Sequence, residues 1–411
     1  MKTSTELRKD TLSYIKDGIA YVCKNFKNRS PGSESEKKAQ EYFAKELANY
    51  ADEVKSETFT LHPKGFMGFI PIVSVLMIIS VVLFFVQKYV RNPVFPYISA
   101  VLTLISIAMF LFEFLFYREF IDFLFPKAES VNVYAVRKAK NEPKRRIIFG
   151  GHADAAHEWT YSLHGQIKTL LPVMGGGILS TFGLMFVFLI YIIKGTPDLN
   201  AGAWNVISWL SLVTIVFYIA LMFFINWRVI VDGANDNLSA CFVSIGILRE
   251  MAKNDFRYDD TEVGVIITGS EEAGLRGALA FGKKHAKELN EIETIIIPLE
   301  TLRETKHLAI YALDQTGTVR NDKKVGELLR RAGKNVGIDL PYADIYPGST
   351  DAAGFTRTGI KSCGLGGVDH NPRTYYHTRH DTYINIGLDC MEKTLEICIE
   401  AANIFDKEGL G

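Results

Sequence analysis

Apolar and polar positions follow three different rhythms along the 411 residues of this chain. The longest-wavelength one is a set of four stretches, 66 to 86, 94 to 112, 170 to 193 and 204 to 225, with no charged residue in any of them. Each approaches or exceeds the roughly 20 residues that a helix needs to cross about 30 Å of hydrocarbon. A helix buried in a soluble domain normally keeps a polar face, and these keep none. "QKYVRNP" joins the first two and "KGTPDLNAGA" the second two, so the pattern predicts four transmembrane helices in two hairpins, 66–117 and 169–226.

Elsewhere the rhythm shortens. Segments 5–25 and 34–50 read as amphipathic helices, and "SPGSESEKKAQ" as a turn leading into a capped helix start. "DEVKSETFTLH" and "SVNVYAVRKA" alternate polar and apolar residues as half-exposed strands do. "RRIIFGG", "EVGVIITG", "ETIIIPLE" and "IKSCGLGG" are short apolar runs with helical stretches between them. This alternation predicts an α/β domain, a mixed and largely parallel central sheet flanked by helices. It would be assembled from 1–65, 118–168 and 227–411, about 300 residues, enough for one domain.

An even number of crossings returns the chain to the same side, so nearly all the polar sequence lies on one face of the bilayer. Near the membrane that face carries Lys55, Lys64, Arg118, Lys127, Lys168 and Arg228, against Lys88, Arg91 and Lys194 opposite. The excess predicts a multi-pass protein whose large domain faces the cytoplasm. The N-terminus "MKTSTELRKDTLSYIKDG" lacks the apolar core of a signal peptide, and the five cysteines form no CxxC pair, which suits a reducing compartment. Lys plus Arg balance Asp plus Glu at 46 each, so nothing points to nucleic acid.

The candidate chemistry gathers where apolar runs end. "RRIIFGGHAD" ends in His152 and Asp154. "RVIVDGANDNLSA" offers Asp232 and Asp236, "VIITGSEEAG" Glu271 and Glu272, "TIIIPLETL" Glu300, and "YYHTRHDT" His377, His380 and Asp381. Ligand sites in open α/β sheets lie at the carboxyl ends of strands, so five such ends are expected to meet on one rim. Two imidazoles with three or four carboxylates form a ligand set for zinc, or for two zinc ions sharing a carboxylate. Singly, these residues would be structural; adjacent glutamates alone simply suit the first turn of a helix.

The ordered motifs resemble those of the co-catalytic zinc aminopeptidases and carboxypeptidases of metallopeptidase clan MH, family 28. "GGHAD" is similar to the family's His-x-Asp, "GANDNLSA" to its Gly-Ala-x-Asp-Asn-x-Ser-Gly with alanine last, "GSEEAGLRGA" to its Glu-Glu-x-Gly-Leu-x-Gly and "YHTRHDT" to its Tyr-His-Thr-x-x-Asp-Thr. "GSTDAAGF" and "GIKSCGL" look like the segments preceding the last motif. The resemblance spans the polar parts from about residue 30 to 395 and implies a zinc-exopeptidase (phosphorylase/hydrolase-like) fold.

By this resemblance, His152 would bind one zinc, Asp236 would bridge two, and Glu272 and His377 would complete the second ion's protein ligands. Glu300 stands where the family more often has aspartate on the first ion, and its extra methylene puts that ion's position in question. Asp154 would orient the His152 ring, Glu271 would be the general base toward the zinc-activated water, and Tyr376 would help to hold the tetrahedral intermediate. The implied activity is a membrane-anchored zinc peptidase, foremost an aminopeptidase, acting on peptide substrates, with two zinc ions per chain and the lipid bilayer as its other partner.

Two alternatives stay open: a one-zinc acyltransferase like the glutaminyl cyclases, and a non-catalytic membrane receptor or scaffold on a peptidase fold. His157, His164 and His307 match no motif and read as structural, His380 as solvent-facing, Asp381 as a loop brace and Asp232 as a turn residue. His370 either lines the cleft or orders a loop. The second hairpin interrupts the chain between the His152 and Asp236 motifs, so it leaves and re-enters the domain beside the expected metal site. That placement suggests either a cleft near the bilayer surface with membrane-associated or amphipathic peptides as substrates, or an anchor unrelated to substrate choice.

Overall fold

In the computed structural model, residues 1, 3–369 and 374–411 are described, and a ten-stranded sheet runs through the polar part of the chain. From one edge its main path is Glu53–Leu61, Ala128–Arg137, Thr261–Thr268, Arg145–His152, Glu293–Leu302, Gly364–Gly367, Ala309–Asp314 and Tyr342–Asp344. Arg145–His152 lies at the centre and pairs in parallel with the strands on both sides. These central strands read as apolar runs rather than as alternating ones because both sheet faces are covered. Ile147, Phe149, Val263 and Ile297 pack with Ile15, Phe43, Phe242 and Leu395 on one face. Ile148, Ile266 and Ile296 pack with Phe281 and Phe355 on the other. The two antiparallel strands at the edge, Glu53–Leu61 and Ala128–Arg137, alternate in burial as their sequences suggest. The expected fold class, a mixed and mostly parallel sheet between helices, is the one observed.

The helices start where the sequence provides caps. Ser4 accepts from the amide of Leu7 at the head of Thr5–Asn25, and Ser33 from that of Glu36 at the head of Glu34–Ala48. All five cysteines are buried and unpaired.

Among the described residues, four helices are long and apolar enough to cross a membrane: Gly65–Val90, Phe95–Leu115, Ile167–Ile193 and Gly202–Met222. They form the two expected hairpins, with differences at the ends. The second helix finishes in a π-helical turn, Phe110–Leu115, which carries Glu113 past the apolar block; its carboxylate accepts from the amide of Ile121. The fourth is interrupted at Thr214, whose hydroxyl donates to the carbonyl of Ser211. The hairpins pack together through Phe84 against Phe188 and Tyr191, and at their far end Lys88 donates to Asn205 and Ser208. Their outer surface exposes Leu104, Leu179, Phe186, Ile193, Leu210 and Val216, far more contiguous apolar area than a soluble surface carries.

One expectation fails in detail. His152, the Glu271–Glu272 turn and Glu300 do sit on or just after strands of the main sheet, but Asp236 and His377 lie on loops. Ile225–Ile230, the strand before Asp236, pairs only with His157–Trp159 in a separate two-stranded ribbon. Those two short strands are the stem of the second hairpin, and each takes the other as its backbone partner instead of joining the sheet.

Candidate metal centre

Each functional side chain is fixed by a specific local device. His152 ends the central strand where the chain must pass close to helix Ser239–Lys253. A Cβ on Gly151 would lie 2.6 Å from the Cβ of Ala240 and 3.0 Å from the amide nitrogen of Cys241. Glycine at 151 thus leaves room for the alanine that departs from the family's motif. Asp381 accepts from the amides of Asn235 (2.8 Å) and Asp236 (3.0 Å) and from the Asn235 side chain (2.7 Å), clamping the Asp236 loop. Asn237 ties that loop to Glu300, donating to Leu299 O (2.9 Å) and Glu300 Oε2 (3.3 Å); the Thr301 hydroxyl donates to Glu300 Oε1 at 2.7 Å.

The adjacent glutamates sit on a turn that other carboxylates hold. The two oxygens of Asp154 accept one each from the amides of Glu271 and Glu272, both at 3.0 Å. Buried Glu36 accepts from the amide of Ser270 (2.6 Å), a residue in the left-handed region at φ 55°. Glu36 stands three residues after the Ser33 cap, where a capping-box side chain would turn back to the Ser33 amide, but it reaches instead to this turn and to the amide of Gly32.

His377 also has a positive φ, 53°, and is wedged between two rings. Tyr376 stacks on it at 4.0 Å between centroids, and Trp159 meets it edge-on at 4.4 Å. The amide of Trp159 donates to the carbonyl of His377 (2.9 Å), and Arg379 grips buried Glu158 through two nitrogens at 2.7 and 2.6 Å. Thus the stem of the second hairpin holds the loop that carries His377.

The donors converge as overlapping trios. Two share Asp236: His152, Asp236 and Glu300 form one, and Asp236, Glu272 and His377 the other; a third joins His152 to Glu271 and Glu272, and the ligand atoms of each lie within 4.8 Å of one another. Two donors about 2.1 Å from one tetrahedral ion lie about 3.4 Å apart. The corresponding separations are 3.2 Å for His152 Nε2 to Asp236 Oδ1, 3.0 Å for His377 Nε2 to Asp236 Oδ2 and 3.1 Å for His377 Nε2 to Glu272 Oε1. Asp236 Oδ2 and Glu272 Oε1 are buried and make no hydrogen bond of good geometry, although His377 Nε2 lies 3.0–3.1 Å from both, as donors gathered around one ion would be placed. The nitrogen and oxygen donors, their spacing and these two oxygens fit zinc, and Asp236 directs one oxygen into each of the two trios that share it. Glu271 stands beside the first, its Oε2 3.8 Å from His152 Nε2.

The electrostatics point the same way. Burial pushes Glu271 and Glu300 well above the usual carboxylate range, with His152 opposing and neighbouring acids adding to the rise. Burial alone would also raise Asp236, but the imidazoles of His152 and His377 outweigh it and hold that carboxyl below its usual range. Burial would lower His377, yet Glu272 and Asp236 raise it to about 10. The cluster thus has more buried negative charge than its two rings can balance, a surplus that a divalent cation relieves.

The remaining sequence candidates stay outside these trios. Asp381 braces the loop as described, and burial followed by Asp236 lifts it to about 7. Asp232 accepts from Arg29 through its main-chain oxygen, His157 packs on Trp227, His307 lies 3.3 Å from Asp369, and His164 and His380 are exposed. His370 falls outside the described residues. Sequence reasoning passed over Glu36, Glu158, Trp159 and Asn237, which position the donors without matching any ligand pattern.

Residues 222–402 match the model of the family described as Peptidase family M28. No curated protein matches the sequence. Among solved structures, the aminopeptidase from Aneurinibacillus sp. strain AM-1 superposes with a TM-score of 0.54 at 14% identity, covering 98% of this chain and 94% of its own. BSAP, a zinc aminopeptidase from Bacillus subtilis, gives 0.55 at 13%, covering 96% and 94%. A glutaminyl cyclase from Bacteroides thetaiotaomicron gives 0.54 at 12%, covering 97% and 98%. At these identities the likeness is one of fold.

Proposed function

We propose that this chain belongs to peptidase family M28 and is a membrane-anchored zinc hydrolase of peptide bonds, most simply an aminopeptidase. The observation that carries the reading is the pair of donor trios sharing Asp236; Glu271, grouped with His152 and Glu272 in a third trio without Asp236, is the carboxylate this reading leaves to the water. In this reading His152, Asp236 and Glu300 hold one ion, and Asp236, Glu272 and His377 the other. Bound zinc would polarise the scissile carbonyl and bring the pKa of a water toward about 7.

The chain's own residues do the rest. Glu271 takes a proton from the attacking water and returns it to the departing amine, while Asp154 fixes the turn that aims it. Tyr376, stacked on His377 at the mouth of the site, is placed to donate toward the developing oxyanion. The four apolar helices anchor the domain in the bilayer, and the excess of lysine and arginine near the membrane puts it on the cytoplasmic side.

The test is zinc content together with peptide hydrolysis for wild type and Glu271→Gln. The variant should keep its metal and lose about 100- to 10,000-fold in turnover; retained turnover would mean that another group is the base. The cyclase likeness supports a second reading, acyl transfer at one zinc. One ion per chain, with cyclisation of N-terminal glutaminyl peptides, would favour it.

A further inference from the structure

An apolar cavity opens from the metal centre into the space between the apolar hairpins. Glu271, Glu272, His377 and Tyr376 line its polar end; Val73, Ile107, Phe110, Ile178, Phe182 and Leu221, drawn from all four apolar helices, line the rest.

What fills it is constrained by the absence of free polar partners along the apolar part. The hydroxyl of Ser106 is donated to Leu102 O (2.9 Å), and that of Thr181 to Gly177 O (2.8 Å), with Tyr218 at 3.2 Å. The helices spend their own main-chain groups internally. An extended peptide threaded inward would leave amides and carbonyls unpaired, each costing several kcal/mol. A polymethylene or isoprenoid chain has no such groups to satisfy.

We propose that this cavity binds one long hydrocarbon chain carried by the substrate next to the amide that is cut, so that the protein hydrolyses lipid-linked amino acids or peptides. The proposal rests on the hydrolase reading above and specifies its substrate class. Water adds across the C–N bond: its oxygen goes to the carbonyl carbon, a proton passes through Glu271 to the departing nitrogen, and an acid and an amine are released. The chain can stand on either side of that bond, as the acyl group of an N-acyl amino acid or as the alkyl part of an aminoacyl amide.

The test uses the zinc-loaded full chain in lipid nanodiscs with two substrate series, N-acyl glycines from acetyl to palmitoyl and leucine alkylamides from ethyl to hexadecyl. Longer chains partition into lipid regardless of the protein, so the readout is the long-to-short ratio of kcat/KM against that of Ile178→Trp and Ile107→Trp, whose indoles fill the cavity from opposite hairpins. In at least one series the wild-type ratio should exceed that of both variants by at least about tenfold, with unchanged melting curves. The responding series identifies which side bears the chain. Ratios equal in wild type and both variants would overturn the proposal.

Binding of the same N-acyl glycines to Glu271→Gln, followed by tryptophan fluorescence, separates the two readings. Chain-length-dependent binding without hydrolysis by wild type would retain the hydrocarbon site and reject the hydrolase. Turnover of short peptides with no chain-length dependence in rate or binding would do the reverse.

Discussion

Replacing Asp154 with asparagine isolates the contribution of a residue that touches none of the reacting atoms. Its two oxygens each take one amide, from Glu271 and Glu272, and Oδ1 also faces His152 Nδ1 at 3.4 Å. Asparagine keeps the shape and one acceptor but sets an NH2 against the other amide. A hydrogen bond to a charged acceptor is worth about 1.5–3 kcal/mol, so its loss corresponds to roughly 10- to 100-fold, the range in which partners of metal ligands generally act. In the metal-free protein this loss is partly offset, because one negative charge leaves a crowded acidic cluster. In the loaded protein nothing offsets it, so the deficit should appear mainly as weaker zinc binding, with kcat falling more than KM changes. Competition against a chromophoric zinc chelator, with turnover of a leucyl peptide measured alongside, reads both quantities. Zinc affinity and kcat indistinguishable from wild type would refute the positioning role, whatever happened to the melting temperature.

Asp236→Asn should weaken both ions together because one carboxylate serves both trios, whereas His152→Ala should mainly empty one; metal analysis at graded zinc concentrations distinguishes the patterns, and independent loss in Asp236→Asn would contradict sharing. His377 is raised from 6.5 to about 10, so in the metal-free protein its imidazolium contributes stability that is fully present below the lower value and lost as pH rises through the upper. Zinc requires the neutral ring, so its apparent affinity should rise across that window with release of a proton, and calorimetry in buffers of different ionisation enthalpy that finds no such release would count against ligation by His377. Arg379→Ala should leave Glu158 without its charged partner and loosen the His377 loop; the expected sign is lower zinc affinity on one ion, and unchanged affinity on both would make the pair merely structural.

The parts of this molecule that were legible in its sequence are those set by periodicity and by residue type. The central strands announce themselves as β-branched runs because they are covered on both faces, and the hairpins as uncharged blocks because nothing polar can face hydrocarbon. The donors were legible as chemistry, imidazoles and carboxylates where apolar runs end. What was not legible depends on contacts distant along the chain. Ala309–Asp314 and Tyr342–Asp344 are short strands that exist through their neighbours. Glu36 looks like part of an ordinary capped helix start until the fold brings Ser270 to it, and Trp159 and Glu158 carry no signal of their own until the His377 loop lands on them.

That last contact explains why the separate ribbon matters. His157–Trp159 and Ile225–Ile230 are the only covalent links between the second hairpin and the domain, and they follow His152 and precede Asp236 in the chain. The same ribbon grips the His377 loop through Trp159 and Glu158. Three of the donor-bearing segments therefore hang from the base of one apolar hairpin, whose inner face lines the cavity that opens on Glu271. A substrate chain lodged between the helices would press on the walls that position the donors, so binding in the apolar space and alignment of the polar site are mechanically one event. An anchor serving only to tether the domain could be attached anywhere on its surface; on the proposed membrane-anchored reading, insertion between two ligand motifs would place the entrance to the bilayer interior at the site of chemistry.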